Sequence, residues 1–499
     1  MNQLNVFSGP HALNDFLNPE KHLPIPLVEL PESCNPFYAK RVRIFAKLLN
    51  MLPLANVKSV PAFGMLKSAQ KKGKLTNVNS LVEASSGNTV FSLAAIGRSF
   101  GVPRTTAIVS QEVTKGKLQM LQLMGIGIRV VDESICPDPN DPQSSIYQAH
   151  NQANEAGWFN PGQFDNGDNP LSHEEWTGPQ IFEQTNGEIT LFCAGLGTAG
   201  TAAGVGKFLK KKNPLIQTIG AVRAPNNPVP GTRTLNQVNA VGFDWQSHVD
   251  QLVEVGTLDS FRSSLKLIQQ GLLVGPSSGF SFAGLMQKLS EYEKLNQLDD
   301  LRNENGEVVA VFICCDSPFP YLNEYFKLLP PESFSMIEND ELLLYNKKSE
   351  GTSEIISKNI PEISPRELLE LGFGMTVNQL NELVQQNLPI ASKRNTIIVD
   401  IRHEREFKEF SLPASINIPA DELLFHVDDY SMKWSSARII VVCPYGGKSS
   451  AIVHELRTRG VDACHLKGGL IEWSRQHYPR LKDQSCTVPR SHTESLSTL

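Results

Sequence analysis

Long apolar runs are missing from this chain. No stretch approaches the roughly 20 residues a membrane span needs, and the opening MNQLNVFSGPHALNDF lacks the basic-then-apolar order of a signal peptide. A cytoplasmic protein with no membrane partner is therefore expected. An excess of charge of one sign is missing too. Lys and Arg number 46 against 52 Asp and Glu, a net charge of -6, and there is no basic stripe of the kind a nucleic-acid binder carries, so no nucleic-acid partner is expected. Paired cysteines are also absent. The eight (Cys34, Cys136, Cys193, Cys314, Cys315, Cys443, Cys464 and Cys486) form no C-x-x-C pair. In a chain this long they read as reduced thiols, neither a disulfide framework nor a metal site.

What is present is ordinary globular composition, 40% hydrophobic and 20% charged, over 499 residues. Two or three domains are the expectation at that length. From about 25 to 330, apolar strand-like runs alternate with helical ones: NSLVEAS, then GNTVFSLAAIGRSFG; TTAIVS, then KGKLQMLQLMG; IRVVDE; EITLFCAG, then TAGTAAGVGKFLKKKN; IQTIGAVRA; and VVAVFICCD. That order predicts parallel sheets covered by helices. Residues 331–360 are polar and aperiodic and read as a linker. A second α/β unit is expected over 361–480, and a disordered tail over 481–499.

Three stretches of the first unit carry chemistry. AGLGTAGTAAGVGKFLKKKNP joins a strand to a helix through a glycine-rich turn, which aims backbone N–H groups and the positive helix end at an anion such as a phosphate. Gly195, Gly197 and Gly200 also satisfy G-x-G-x-x-G, but a dinucleotide site needs an acid about 20 residues on, and Ile189 to Phe243 contains none. Arg223 for a 2′-phosphate is the weaker reading. In VEASSGNTVFSLA, residues Ser85 to Thr89 place hydroxyls, an amide and free N–H groups at a helix start, which suits a carboxylate. In LANVKSVPAFGM, Lys58 sits in apolar company, which disfavours its charge and makes the amine a usable nucleophile.

With these come PIPLVELP, NVKSVPA, EASSGNT, NPGQFDNGDNP, TGPQIF and QGLLVGPSSG, in that order over about 22–330. The stretch resembles the fold-type-II pyridoxal-phosphate enzymes, most closely the cysteine synthase and cystathionine β-synthase group. The resemblance implies a tryptophan synthase β-like fold of two parallel α/β subdomains, pyridoxal 5′-phosphate as cofactor, and a homodimer. It implies that Lys58 holds the cofactor as a Schiff base and moves the α-proton. It gives Asn88 to the ring hydroxyl, Ser277 to the pyridine nitrogen, and Gly197, Thr198, Ala199, Gly200 and Thr201 to the phosphate. Ser85, Ser86, Gly87, Thr89 and Gln163 fall to the substrate carboxylate. Ser59–Val60 stand where the family has Asp-Arg, Ser85 where Thr is common, and Val90 where Gly is common.

In the second unit, IIVVCPYGGKSS ends a strand on Cys443, and a helix is expected from Ser449. Loop N–H groups and the helix start would converge on the sulfur and lower its pKa. A P-loop is excluded, since Val442 stands where its first glycine belongs. IIVDIRHEREFKEFSLPASINIPADEL and the following VVCPYGGKSSAIVHELRTRGVDACHLKGGLIEW resemble a single rhodanese domain, with Asp400, Arg402 and Glu406 on its D-x-R…E signature and Gly468–Gly469 on its closing glycines. The resemblance implies a persulfide on Cys443. Lys448 stands where Arg is common, drawing an anionic donor as a point charge.

Together the halves imply β-replacement on an activated serine by a sulfur nucleophile, with amino acid and sulfur donor as small-molecule partners. The alternatives are a cysteine desulfhydrase or other β-eliminase, a diaminoacid synthase, and a non-catalytic sulfur-sensing scaffold that Ser59–Val60 would suit.

Overall fold

A computed structural model describes residues 4–111, 113–132, 141–338 and 360–482. The chain divides into two compact units, Met1–Phe334 and Ser335–Leu499. Most of the expected linker (339–359), Cys136 and Cys486 lie outside the described residues.

The first unit holds two sheets. The larger runs in the order β1 (Leu27–Glu29), β2 (Val42–Leu48), β10 (Val308–Cys314), β7 (Leu191–Gly195), β8 (Gln217–Arg223), β9 (Gln251–Val255), with only the β1–β2 pair antiparallel. The smaller is β5 (Gly127–Val131), β4 (Arg104–Ser110), β3 (Ser80–Ala84), β6 (Trp158–Phe159), all parallel. β10 is central and every residue in it is buried, as expected of a parallel strand covered on both faces.

β2 was not among the runs picked out from the sequence. Arg43 and Lys47 interrupt its apolar pattern, yet Lys47 is fully buried. Its Nζ donates to Ile25 O (2.7 Å), Gln180 Oε1 (2.8 Å) and Gln184 Oε1 (2.7 Å). Three acceptors satisfy the three donors an ammonium carries, and burial lowers its pKa to about 7.

The second unit is a five-stranded parallel sheet, β11 (Glu362–Ile363), β16 (Asp462–Leu466), β15 (Arg438–Val442), β12 (Thr396–Asp400), β14 (Ser415–Asn417). A separate antiparallel pair joins β13 (Phe410–Ser411) to β17 (Leu481–Lys482). Leu481 and Lys482, the first two residues of the tail expected to be disordered, pair with β13; the rest of that tail lies outside the described residues. The helix after Cys443 also starts earlier than expected, at Gly447 rather than Ser449. Gly446 adopts φ 89°, and this left-handed turn brings the backbone into helix two residues sooner.

Candidate active sites

In the first unit the C-terminal ends of β3, β7, β8 and β10 lead into segments that surround one cavity of about 490 Å³. Strand ends of parallel sheets are where α/β folds place ligands, and the volume suits a small organic molecule.

Lys58 is half-buried and opens into this cavity from the start of the helix Ser59–Lys71. Its loop is fastened to the end of β10: Val57 N donates to Cys315 O (2.7 Å), and Asn56 bridges to Asp316. Asn56 Oδ1 in turn accepts from Lys58 N (3.0 Å) and Ser92 Oγ (2.9 Å). Burial pushes the Lys58 amine below the ordinary lysine value, against the pull of Cys315 and Asp316. Burial, then Asp316, pushes the neighbouring Cys315 thiol up to about 11, which leaves it inert. Ser59 and Val60 are both buried in the first helical turn, with Ser59 Oγ donating to Asn56 O (3.0 Å). Neither lines the cavity.

Two helix starts open into the same space, and no side chain caps either: Asn88–Ser99, after the serine loop, and Gly200–Lys212, after the glycine-rich turn. At the second, Ala199 takes φ 62°. A Cβ on Gly197 would lie 2.3 Å from Gly231 O, and one on Gly200 would lie 2.1 Å from Asn169 Oδ1, so both glycines are required by packing. Asn169 Nδ2 donates to Thr198 Oγ1 (3.1 Å) and to Gln163 O (2.7 Å). Thr201 Oγ1 lies 3.2 Å from His173 Nε2, whose Nδ1 lies 2.8 Å from Thr177 Oγ1. Burial, then Lys58, holds His173 down at about 3, so it is neutral and serves to orient Thr201. Neither His173 nor Asn169 was singled out from the sequence, although Asn169 lies within NPGQFDNGDNP.

Asn88 and Ser277, expected at the ring hydroxyl and the pyridine nitrogen, both bond to a third residue that sequence reasoning missed. Asp316, 3% exposed, accepts from Asn88 Nδ2 (2.6 Å), Tyr321 OH (2.6 Å) and Ser277 Oγ (3.3 Å). Burial raises its carboxyl above the usual range, and these donors oppose that rise. The only available signal was an acid directly after an unbroken apolar strand, FICCD.

On the other side, Gln163 accepts from Thr89 Oγ1 (2.7 Å) and donates to Ala84 O (2.8 Å). Ser85 Oγ accepts from Gly87 N (3.3 Å), and Ser86 is half-buried at the cavity wall. Gln163 is held by buried Glu83, which takes backbone N–H groups from Ala84 (3.0 Å), Gly162 (3.1 Å) and Gln163 (3.3 Å).

Burial pushes the Glu83 carboxyl up to about 7, against those donors. A folded-state value above the unfolded 4.5 favours the protonated form, so this contribution is complete below pH 4.5 and is lost as pH rises towards 7. The loss is on the order of 3 kcal/mol. Between pH 4.5 and 7 the unfolding temperature of wild type should therefore fall relative to that of Glu83→Gln, a comparison in which the opposite slope from His173 is common to both proteins. Parallel profiles would show that Glu83 is not the group responsible.

The donor set fits a phosphorylated aldehyde: a desolvated amine, an uncapped helix start with two hydroxyls, and no acid in the 189–243 segment that forms the cup. A family model described as "Pyridoxal-phosphate dependent enzyme" matches residues 20–311. The chain belongs to that family. Its cofactor is pyridoxal phosphate, and its domain is of the fold-type-II, cysteine synthase-like kind. A cysteine synthase of Staphylococcus aureus (strain Mu50) is 31% identical over 275 residues, 53% of this chain and 86% of the relative. Cysteine synthase B of Escherichia coli (strain K12) is 27% identical over 281 residues, 56% of this chain and 86% of the relative. The crystal structure of a cysteine synthase from Entamoeba histolytica superposes with a TM-score of 0.52 at 23% identity, covering 66% of this chain and 94% of that one.

A rhodanese-like domain model matches residues 376–476 of the second unit. There Cys443, 1% exposed, directly follows β15. Its Sγ accepts from Gly446 N (3.1 Å) and Ser449 N (3.4 Å) and lies 3.2 Å from Ser449 Oγ. The loop is held from behind: Leu470 N donates to Cys443 O (2.9 Å) and Ile471 N to Pro444 O (3.1 Å). A Cβ on Gly469 would lie 2.4 Å from Cys443 O, which accounts for the closing glycine. On the adjacent strand the buried Arg402 grips Asp400 through Nε–Oδ1 (3.0 Å) and Nη2–Oδ2 (2.7 Å). Ile401 N donates to Val442 O (3.1 Å), so this pair sets the strand end that presents the cysteine. Lys448 is exposed at the first turn of the helix. Glu406, the third signature residue, is exposed on the short helix Glu404–Glu409 and takes no part in the Asp400–Arg402 pair.

Proposed function

We propose that the first unit performs β-replacement on an O-acetylserine-like activated serine, in which acetate leaves and a sulfur nucleophile takes its place to give cysteine. The observation that carries this reading is the desolvated Lys58 amine, fastened to the end of β10, sharing a cavity with two uncapped helix starts.

Residues 197–201 grip the cofactor phosphate through N–H groups and the hydroxyls of Thr198 and Thr201. Asn88 and Ser277 face the ring, ordered by Asp316. When bound, pyridoxal phosphate supplies an electron-withdrawing ring that acidifies the substrate's α-C–H. Lys58 would hold the cofactor and, once released from it, move that α-proton, since burial lowers the amine's proton affinity and a free amine is a base. Ser85, Ser86, Gly87, Thr89 and Gln163 seat the substrate carboxylate, fixing which face of the α-carbon meets Lys58.

In the second unit the Cys443 thiolate attacks the outer sulfur of thiosulfate. The S–S bond breaks, sulfite leaves with the bonding pair, and Cys443 keeps the sulfur as a persulfide cradled by the N–H groups of Gly446 and Ser449. Its release as sulfide takes two electrons from a thiol reductant.

Steady-state assays test the direction of flow. With O-acetylserine plus sulfide, cysteine should form at a kcat/KM well above that for sulfide release from cysteine alone. The opposite ranking would favour a desulfhydrase, and activity with an amine but not sulfide would favour a diaminoacid synthase.

A further inference from the structure

The mechanism above leaves one buried amine in the cavity without a task. Lys117 lies on the helix Lys115–Leu123 and is 7% exposed, with its side chain lining the cavity. Among the described residues its Nζ makes no hydrogen bond and no ion pair; its nearest aromatic neighbour is the Tyr321 ring, 5.5 Å away. Asp316 and Glu324 act on it only at longer range, and burial lowers the proton affinity of the amine. A buried amine without an acceptor is costly. Such a group in a cavity is explained most directly by a ligand that supplies the acceptor.

Its position says which part of the ligand. A Cβ on Gly87 would lie 3.4 Å from Lys117 Nζ and 3.4 Å from its Cε. Nζ therefore lies against the middle of the serine loop, beside the uncapped start of the 12-residue helix Asn88–Ser99. Of the donors there, Thr89 Oγ1 is committed to Gln163 Oε1 and Gln163 Nε2 to Ala84 O, which leaves the Ser85 and Ser86 hydroxyls as the neutral side-chain donors. An anion seated on this helix start meets backbone N–H groups and one positive charge.

We infer that Lys117 is the counter-ion of the amino-acid substrate's α-carboxylate, a substrate-contacting residue added to the neutral donors of the serine loop. This rests on the proposed carboxylate role of that loop. An entering carboxylate favours the ammonium form and takes the hydrogen bond the side chain otherwise lacks.

Equilibrium binding to the pyridoxal-phosphate-loaded protein tests the assignment. L-alanine and L-alaninamide are titrated calorimetrically into wild type, Lys117→Met, Lys117→Gln and Lys117→Arg. Loss of a charge-assisted bond should weaken L-alanine binding about ten- to hundredfold in the Met and Gln variants. The amide, which has no carboxylate, should change less than about twofold, and Arg should restore most of the alanine affinity. Both neutral variants should unfold at the wild-type temperature or above, because a buried unpaired amine is removed; a purely structural lysine would give the reverse. Alanine affinity within about threefold of wild type, or equal losses for alanine and alaninamide, would overturn the role of Lys117 alone. A wild-type protein that binds neither ligand would sink the enzymatic reading and this inference together.

Discussion

Lys58→Ala should abolish amino-acid turnover, with cysteine formation from O-acetylserine and sulfide falling by about a thousandfold or more. Two losses combine. The cofactor is no longer held at its aldehyde carbon, and no other group is placed to move the α-proton: Cys315 is inert at a pKa of about 11, His173 is neutral and bonded to Thr201 and Thr177, and Lys117 is assigned to the substrate carboxylate. Folding should be spared, because the Lys58 side chain is half-buried against a cavity and the loop bonds at Val57 and Asn56 use other atoms. Thiosulfate-to-cyanide sulfur transfer by the same protein should stay at the wild-type rate and serve as the internal control. Retained cysteine formation would show that position 58 has been given the wrong task.

Cys443→Ser should abolish that sulfur transfer, again by about a thousandfold or more. An alcohol in the same cradle still accepts from Gly446 N and Ser449 N, so the loop keeps its shape. What is lost is a sulfur nucleophile that can carry a second sulfur. Thiocyanate formation is the direct readout. Amino-acid turnover supplied with free sulfide should be unchanged, since Lys58 and its cavity belong to the other compact unit. Residual thiocyanate formation near the wild-type rate would remove Cys443 from the chemistry.

The parts of both sites that were legible in the sequence are those where one short segment does the whole task. VEASSGNT, GLGTAGT and VVCPYGGKS each run strand, loop and helix start, and the backbone geometry that binds an anion is local to each. The parts that were not legible depend on what distant segments bring. Asp316 is a single acid after an apolar strand; its meaning comes from Asn88 and Ser277, which arrive from two distant places in the chain, together with the nearby Tyr321. Lys47 made β2 look too polar for a buried strand, and only the carbonyl of Ile25 and the amides of Gln180 and Gln184 make its burial tolerable. Lys117 shares a helix face with the buried Leu121, but that it lies against Gly87 is set by the tertiary fold. The Ser59–Val60 departure, which favoured a silent scaffold on sequence grounds, loses that weight because both residues are buried in the helix and face away from the cavity.

Borohydride trapping tests the central assignment most directly. The purified protein is incubated with pyridoxal phosphate, reduced, digested and mapped by mass spectrometry. The expected result is stoichiometric pyridoxyl modification on the peptide carrying Lys58, lost in Lys58→Ala. Modification at Lys117, or no modification of either lysine, would contradict it.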